Sequence, residues 1–152
     1  MKQVRADHYE IDDDRARIDL QRVHRWIGDE SYWARGIPFD LFKRSVDGAR
    51  PFGIYAPDGV QVGFARVISD GATFGYIGDV FVDTAHRGKA LSKFLMTTIM
   101  AHPDLQGFRR WLLVTADAQG LYKQFGFEPL SNPERTMERR HPDPYGLAGR
   151  GA

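Results

Sequence analysis

The stretch Asp79–Met100, which reads DVFVDTAHRGKALSKFLMTTIM, decides the fold because it leads from a strand through a short basic loop into a helix. Strand-like alternation over residues 72–83 predicts two faces. One face carries Ile77, Asp79 and Phe81, and the other carries Tyr76, Gly78, Val80 and Val82. Beyond Arg87, the apolar residues recur at helical spacing, which predicts a helix that ends at His102-Pro103.

The loop between this strand and helix has the composition of an anion site. The first turn of a helix leaves four N–H groups unpaired and carries the positive end of the helix dipole. Together with Arg87 and Lys89, these groups would bind a phosphate or pyrophosphate, and the small residues Gly88, Ala90 and Ser92 would let it approach closely. The alternative is an ordinary turn whose basic side chains are solvated.

The rest of the chain predicts a mixed α/β fold. Residues 51–83 favour an antiparallel meander of three strands, and residues 109–115 favour a further strand. Helical spacing predicts a first helix that Asp13 or Asp14 caps and Gly28 ends, and a second over Phe39–Val46. We further expect a strand near residues 9–12, a helix over 116–125 capped by Asp117, and two terminal strands over 127–130 and 135–140.

Length and composition narrow the class of protein. The 152 residues suit one domain, which we place at residues 1–140, followed by a loose tail over 141–152. The 21 basic and 20 acidic residues give no electrostatic reason to expect a nucleic acid or an anionic membrane as partner. The chain has no cysteine, and its His, Asp and Glu residues form no cluster with the spacing of metal ligands, so we expect no metal site. Without a secretory signal or membrane span, a cytoplasmic location is expected.

A second stretch gives the sequence a family resemblance. Arg87-Gly88-Lys89-Ala90-Leu91-Ser92 is followed about 30 residues later by Leu121-Tyr122-Lys123-Gln124-Phe125-Gly126-Phe127. In this order the two segments resemble the pyrophosphate loop and the Leu-Tyr-x-x-x-Gly-Phe signature of the GNAT superfamily of N-acetyltransferases. The resemblance implies a central, mostly antiparallel sheet that splays between its fourth and fifth strands and is flanked by about four helices.

Three residues depart from the family pattern. Ala90 stands where the family usually has glycine, and Ser92 stands where it usually has glycine or alanine. Because alanine disfavours a positive φ, we expect the loop to be an ordinary helix start. Asp117 stands near the position where the family often has an asparagine that contacts the pantetheine arm.

The resemblance also implies acetyl-CoA as cosubstrate and an amine, taken to be a small molecule, as acceptor. The pyrophosphate would lie on residues 87–92, and the pantetheine arm would lie along Asp79, Val80, Phe81 and Val82. Tyr122 would be the general acid that protonates the thiolate, and a core tyrosine is the alternative. Homodimers are common in the family, which makes a homodimer an alternative to a monomer here.

The general base and the acceptor pocket are less determined. Asp79 lies among apolar neighbours, where a carboxylate is suited to accept a proton, or it is a structural anchor. Tyr32 and Trp33 would stack on a flat or apolar acceptor, Arg35 would hold a carboxylate, and a cleft-facing Arg66 would favour an anionic acceptor. The same aromatic residues alternatively complete the core.

Two other functions fit the same sequence. The departures at Ala90 and Ser92 suit a non-catalytic domain that binds or senses acyl-CoA. The aromatic segment 31–39 suits a module that binds a partner protein. Binding of CoA without turnover would indicate the first function, and no CoA binding at all would indicate the second.

Overall fold

The computed structural model describes residues 1–147, and these residues form a six-stranded sheet flanked by four α-helices. In spatial order the strands are β1 (Lys2–Val4), β2 (Glu10–Asp12), β3 (Arg50–Tyr55), β4 (Gln61–Ser69), β5 (Phe74–Val82) and β6 (Arg110–Leu113). The first five strands are mutually antiparallel, and β6 pairs with β5 in parallel. This confirms the predicted mixed fold and the three-stranded meander. Strand β1 was not predicted.

The helices are α1 (Leu20–Arg25), α2 (Phe39–Asp47), α3 (Leu91–Met100) and α4 (Gln119–Lys123). The prediction for α2 is confirmed, with Gly48 as its C-cap. The predicted caps of the first helix are wrong, because Asp14 caps a short 3-10 turn and Asp19 accepts a hydrogen bond from the Arg22 N–H at the start of α1. The prediction that Gly28 ends this helix is also wrong, because the helical segment continues as a short π-helix over Trp26–Glu30.

Each face of the sheet covers its own hydrophobic core. Helices α3 and α4 cover one face, where Leu95, Met96 and Ile99 are completely buried. Helices α1 and α2 cover the other face, where Phe42 packs with Phe64 from β4. Burying each such side chain contributes about 1.5–3 kcal/mol to folding. The two cores therefore fix the sheet from both sides and hold β5 between them.

The predicted faces of β5 are wrong because a bulge interrupts the strand. Gly78 pairs with Arg66 and Phe81 pairs with Phe64, so two residues of β5 lie opposite one residue of β4. Asp79 has a φ of +54°, a conformation that aspartate tolerates better than most residues. Beyond the bulge the alternation is shifted by one residue. Ile77 therefore packs in the α3–α4 core and Phe81 in the α1–α2 core, on opposite faces.

The prediction of two terminal strands is also wrong. Between Phe127 and Arg140 the described chain forms only a short 3-10 turn at Pro133–Arg135. Every residue from Glu128 to Arg140 is exposed, so neither segment has an apolar face to bury against the sheet. Pro129, within the first of these segments, also lacks the N–H that a strand ladder needs.

The predicted tail is described only in part, since its residues 148–152 lie outside the described part of the chain. Within residues 1–147, none of the helices has the length and apolar character needed to cross a membrane.

Candidate active site

A gap opens in the sheet where β5 and β6 separate. The two strands pair only from Phe74 with Arg110 to Ile77 with Leu113. Strand β5 then continues to Val82 without a partner on that side among the described residues. The bulge at Asp79 lies just beyond the last pair, and a bulge bends its strand and increases the local twist. Residues 79–82 of β5 are therefore left without a partner strand on the side of the gap. Because β1 was not predicted, β5 and β6 are the fourth and fifth strands of the prediction, and the predicted splaying is confirmed.

The predicted anion loop lies at the α3 end of this gap. Arg87, Gly88, Lys89 and Ala90 are all exposed, and α3 begins at Leu91. The expectation of an ordinary helix start is wrong, because Ala90 is a left-handed N-cap with a φ of +57°. Gly88, with a φ of +79°, turns the chain just before Ala90. Ala90 then adopts the left-handed conformation although a positive φ is unfavourable in free energy for an alanine.

The loop and α4 line one cleft. Its volume is about 260 Å³, and its walls include Val82, Arg87, Gly88, Ala90, Leu91, Ser92 and Leu121. The structure therefore brings together the two sequence motifs that carried the family resemblance. Amides at the start of α3 and the positive end of its dipole lie at this cleft.

Arg87 is positioned by its own strand. Its Nε–H donates to the carbonyl oxygen of Val82 at 3.0 Å, and its guanidinium lies 5.3 Å from the centre of the Phe81 ring. Within residues 1–147, neither Arg87 nor Lys89 has an acidic partner. Both positive charges are therefore available to an anionic ligand.

Two residues from the start of the chain hold the loop in place, and neither was predicted. Arg5 donates to the carbonyl oxygen of Lys89 at 2.9 Å, and the Tyr9 hydroxyl is hydrogen-bonded to Nδ1 of His86 at 2.8 Å. Arg5 also forms a two-point pair with Asp7, which fixes its guanidinium. Because Arg5 and Lys89 are 84 positions apart, no local sequence pattern connects them.

Tyr122 lies in α4 with its ring buried against the core, where it contacts Phe127 edge to face. Burial raises the pKa of the Tyr122 hydroxyl, and the nearby Tyr32 and Asp117 raise its pKa further. Its hydroxyl makes no hydrogen bond within the described chain. A phenol in this state is protonated at neutral pH and can donate to a ligand.

Asp117 does not cap α4 as predicted. Ala118 is the N-cap, and its N–H donates to the Thr115 hydroxyl at 3.0 Å. Thr115 therefore satisfies an amide at the start of the helix, and the exposed Asp117 side chain takes no part in the cap.

Asp79 is bonded through both of its carboxylate oxygens. The Trp33 indole donates to one oxygen at 2.7 Å, and the Arg66 Nε–H donates to the other at 2.6 Å. Asp79 and Arg66 are both largely buried, so each neutralises the other's charge. The Arg66 charge is thus already paired, which removes the reason to expect an anionic acceptor there.

The segment 31–39 lies over the α1–α2 side of the gap. The Tyr32 hydroxyl accepts a hydrogen bond from the Ala116 N–H at 3.0 Å, and its ring meets Trp33 edge to face. Tyr32 and Trp33 keep 60% and 42% of their surface exposed, so they are not simply core residues. Arg35 is exposed and makes no ion pair among the described residues.

The predicted cosubstrate lining along β5 is divided between the two faces. Val80 packs in part against the α3–α4 core, together with Val82. Phe81 points to the other face, where it stacks on Trp26 at 5.5 Å. What these residues share with Asp79 is a segment of β5 that has no partner strand on the β6 side among the described residues. Within residues 1–147, no group of three or more His, Asp or Glu side chains has the arrangement of a metal site.

Comparison with known families identifies the family to which the chain belongs. The model of the acetyltransferase (GNAT) family matches residues 14–127, which is most of the chain. A protein of Gibberella zeae that is named a predicted acetyltransferase is 26% identical, in a match that covers 75% of each chain.

Solved structures agree with this family match. A GNAT-family protein of Xanthomonas campestris is 48% identical, with a TM-score of 0.88 over 91% of this chain and 96% of its own. A predicted acetyltransferase of Clostridium acetobutylicum, solved with acetyl-CoA, is 14% identical. Its TM-score is 0.60 over 92% of this chain and 96% of its own, a likeness of fold alone.

Proposed function

The chain belongs to the acetyltransferase (GNAT) family, and on this premise we propose that it transfers an acetyl group from acetyl-CoA to a primary amine of a small molecule. The observation that carries the proposal is the open β5 edge at residues 79–82, which runs directly into the basic loop before α3. An extended ligand on that edge would have its anionic end at the loop and its other end near the 31–39 segment.

The loop suits the pyrophosphate of acetyl-CoA. The first residues of the ten-residue helix α3 line the cleft, and Arg87 and the adjacent Lys89 add two positive charges that have no acidic partner within residues 1–147. We assign the pyrophosphate to Arg87, Gly88, Lys89, Ala90, Leu91 and Ser92. We assign the exposed Asp117 to the pantetheine arm.

The unpaired strand edge suits the rest of the cosubstrate. An extended arm can pair with free main-chain groups of a strand as another strand would. We therefore assign the pantetheine and thioester to Asp79, Val80, Phe81 and Val82. N–H groups of Val80 to Val82 would then stabilise the negative charge that develops on the thioester oxygen.

The transfer itself requires one acid. A primary amine is mostly protonated at neutral pH, so it first loses a proton to water. The neutral nitrogen then attacks the thioester carbonyl carbon, a C–N bond forms, and the C–S bond breaks with its electron pair left on sulfur. Tyr122 donates its proton to that thiolate and regains one from water, while the acetylated nitrogen releases its extra proton to water. The raised pKa of Tyr122 keeps the donor protonated over the neutral range.

Asp79 is better suited to be an anchor than the general base. A base needs a free lone pair directed at the amine. Here both oxygens already accept hydrogen bonds, from Trp33 and Arg66, and the carboxylate lies at a bulge that these bonds stabilise. We therefore assign Asp79 to fixing the position of the strand edge and of the 31–39 segment.

The test is thiol release from acetyl-CoA with a panel of primary amines, with the acetylated product identified by mass spectrometry. We expect amine-dependent thiol release by the wild-type protein and a much lower kcat for Tyr122→Phe, with acetyl-CoA affinity unchanged. Acetyl-CoA binding without turnover on any amine would favour the acyl-CoA sensing domain. Absence of binding would favour the partner-binding module.

A further inference from the structure

His86 forms part of the wall of the cleft between the loop before α3 and α4. It is the last residue of the short 3-10 turn Thr84–His86, directly before Arg87, and its side chain is half-buried. Its backbone N–H donates to the Asp83 carbonyl oxygen at 2.8 Å, which fixes the turn. The cleft that we assign to the pyrophosphate therefore has an imidazole in its wall, in addition to the guanidinium of Arg87.

Tyr9 determines which nitrogen of this imidazole carries the proton. Its hydroxyl oxygen lies 2.8 Å from Nδ1 of His86, and the two rings meet edge to face. Tyr9 is only 7% exposed, and within residues 1–147 its hydroxyl has no other hydrogen-bond partner. A buried O–H without an acceptor is unfavourable in free energy, so the Tyr9 hydroxyl donates to Nδ1. The neutral imidazole then carries its own proton on Nε2.

The second nitrogen of His86, Nε2, is left as a free donor. No group among the described residues accepts a hydrogen bond from it. The two nitrogens of an imidazole point away from each other, so a group bonded to Nε2 lies on the side of the ring away from Tyr9. A phosphate oxygen is a strong acceptor for such an N–H, because the oxygen carries negative charge.

We propose that His86 is a further cosubstrate-binding residue, whose Nε2–H donates to a phosphate oxygen of acetyl-CoA, and that Tyr9 is the positioning residue that holds the ring and its proton. This inference rests on the proposed function and adds two residues to its cosubstrate site. The alternative is a bond that only supports the loop, as the bond from Arg5 to the Lys89 carbonyl does. The two roles differ in their effect on ligands that lack phosphate groups.

The experiment measures the affinity of three ligands by titration calorimetry. Acetyl-CoA carries the pyrophosphate and a 3′-phosphate, 3′-dephospho-acetyl-CoA carries the pyrophosphate alone, and acetyl-pantetheine carries neither. The variants are His86→Ala, Tyr9→Phe and the double variant. His141→Ala is the matched control, because His141 is exposed and lies in the C-terminal segment.

We expect His86→Ala to bind acetyl-CoA about tenfold more weakly than the wild-type protein and to bind acetyl-pantetheine equally well, with kcat unchanged. The same loss with 3′-dephospho-acetyl-CoA would assign Nε2 to the pyrophosphate, and no loss would assign it to the 3′-phosphate. Tyr9→Phe should weaken acetyl-CoA binding about threefold on its own and should add nothing to His86→Ala, because Tyr9 acts through His86. His141→Ala should stay near wild type.

The position of the proton is read directly from NMR spectra that correlate the ring nitrogens of histidine with their protons. The chain has five histidines, and His86→Gln assigns the signals of His86. At a pH where the ring is neutral, the wild-type protein should carry the proton on Nε2, and acetyl-CoA should shift that signal. Tyr9→Phe should show a mixture of both tautomers. If His86→Ala does not fold, Tyr9→Phe still tests the inference, because it keeps the buried ring.

The inference is overturned if His86→Ala binds acetyl-CoA as tightly as the wild-type protein, or if it loses acetyl-pantetheine to the same extent, since the residue would then only support the loop. A neutral ring with its proton on Nδ1 would also overturn it. Failure of the proposed function is distinguishable, because it would show as absent turnover while acetyl-CoA binding still depends on His86. Intact turnover with binding that does not depend on His86 would overturn this inference alone.

Discussion

The indole of Trp33 donates a 2.7 Å hydrogen bond to the carboxylate of Asp79, and this bond ties the 31–39 segment to the bulge of β5. The same carboxylate accepts from Arg66 at 2.6 Å. The position at which β5 leaves its partner β6 is therefore held by side chains from two other parts of the chain. In our account, the acceptor segment and the cosubstrate edge are positioned by one buried ion pair.

We expect Asp79→Asn to lower the free energy of unfolding by about 3 kcal/mol, because it leaves the Arg66 charge largely buried without its partner. Urea denaturation measures the loss, and the control is Asp117→Asn, an exposed site where the change should stay within about 0.5 kcal/mol. An unchanged unfolding free energy together with a collapsed kcat would assign Asp79 to the chemistry as base instead.

The pH dependence of turnover tests Tyr122. A general acid must be protonated, and a pKa raised above the ordinary tyrosine value of about 10 keeps Tyr122 protonated throughout the neutral range. Deprotonation of Tyr122 should therefore begin to lower kcat only above about pH 10. Tyr122→Phe should remove this alkaline limb and lower kcat by about 100-fold or more. An alkaline limb that survives in Tyr122→Phe would exclude the residue as acid.

Ala90→Gly should stabilise the protein. Ala90 has a φ of +57°, a conformation that costs an alanine roughly 1–2 kcal/mol and that glycine adopts freely. About half of this gain is lost again, because glycine raises the conformational entropy of the unfolded chain. The expected net gain is about 0.5–1 kcal/mol in thermal or urea unfolding. Ala101→Gly is the control, because Ala101 has a right-handed φ of −96° and should only lose stability. Destabilisation of both variants alike would mean that Ala90 is not strained.

Removal of Arg5 should weaken acetyl-CoA binding although Arg5 supports the loop from behind. Its hydrogen bond to the Lys89 carbonyl fixes the loop, and loss of one charged hydrogen bond implies about a three- to tenfold weaker affinity. Titration calorimetry on Arg5→Ala measures the change, with Arg22→Ala, an arginine of α1 paired with Asp19, as control. Equal affinity in the two variants would show that the loop holds its shape without Arg5.

The sequence contained the signals that act locally. Apolar spacing in α2 and α3 and the Pro57-Asp58-Gly59 turn between β3 and β4 were enough to predict these elements. Local sequence could not predict the bulge at Asp79. Its left-handed conformation occurs together with bonds to Trp33 and Arg66, which lie far away in the chain.

The same reason explains the other misses. Alternation near residues 127–140 resembled strands, although Pro129 was a local signal against the first of them. That residues 128–140 all stay exposed is visible only in the fold. The backbone conformation of Ala90 was predicted wrongly from the intrinsic preference of alanine for a negative φ, which the surrounding turn overrides. Arg5 reaches the loop before α3 from a position 84 residues earlier in the chain, so only the fold shows that it belongs to the site.

The most direct test of the central claim, that acetyl-CoA binds at the loop before α3, is thermal unfolding with and without saturating acetyl-CoA. A ligand at about 100 times its Kd stabilises by roughly 2.7 kcal/mol, which should raise Tm of the wild-type protein by about 5–10 °C. Arg87→Glu should lose most of this shift, and Arg109→Glu, an exposed charge reversal at the closed end of the β5–β6 pair, should keep it. An equal shift in Arg87→Glu, or no shift in the wild-type protein, would contradict the account.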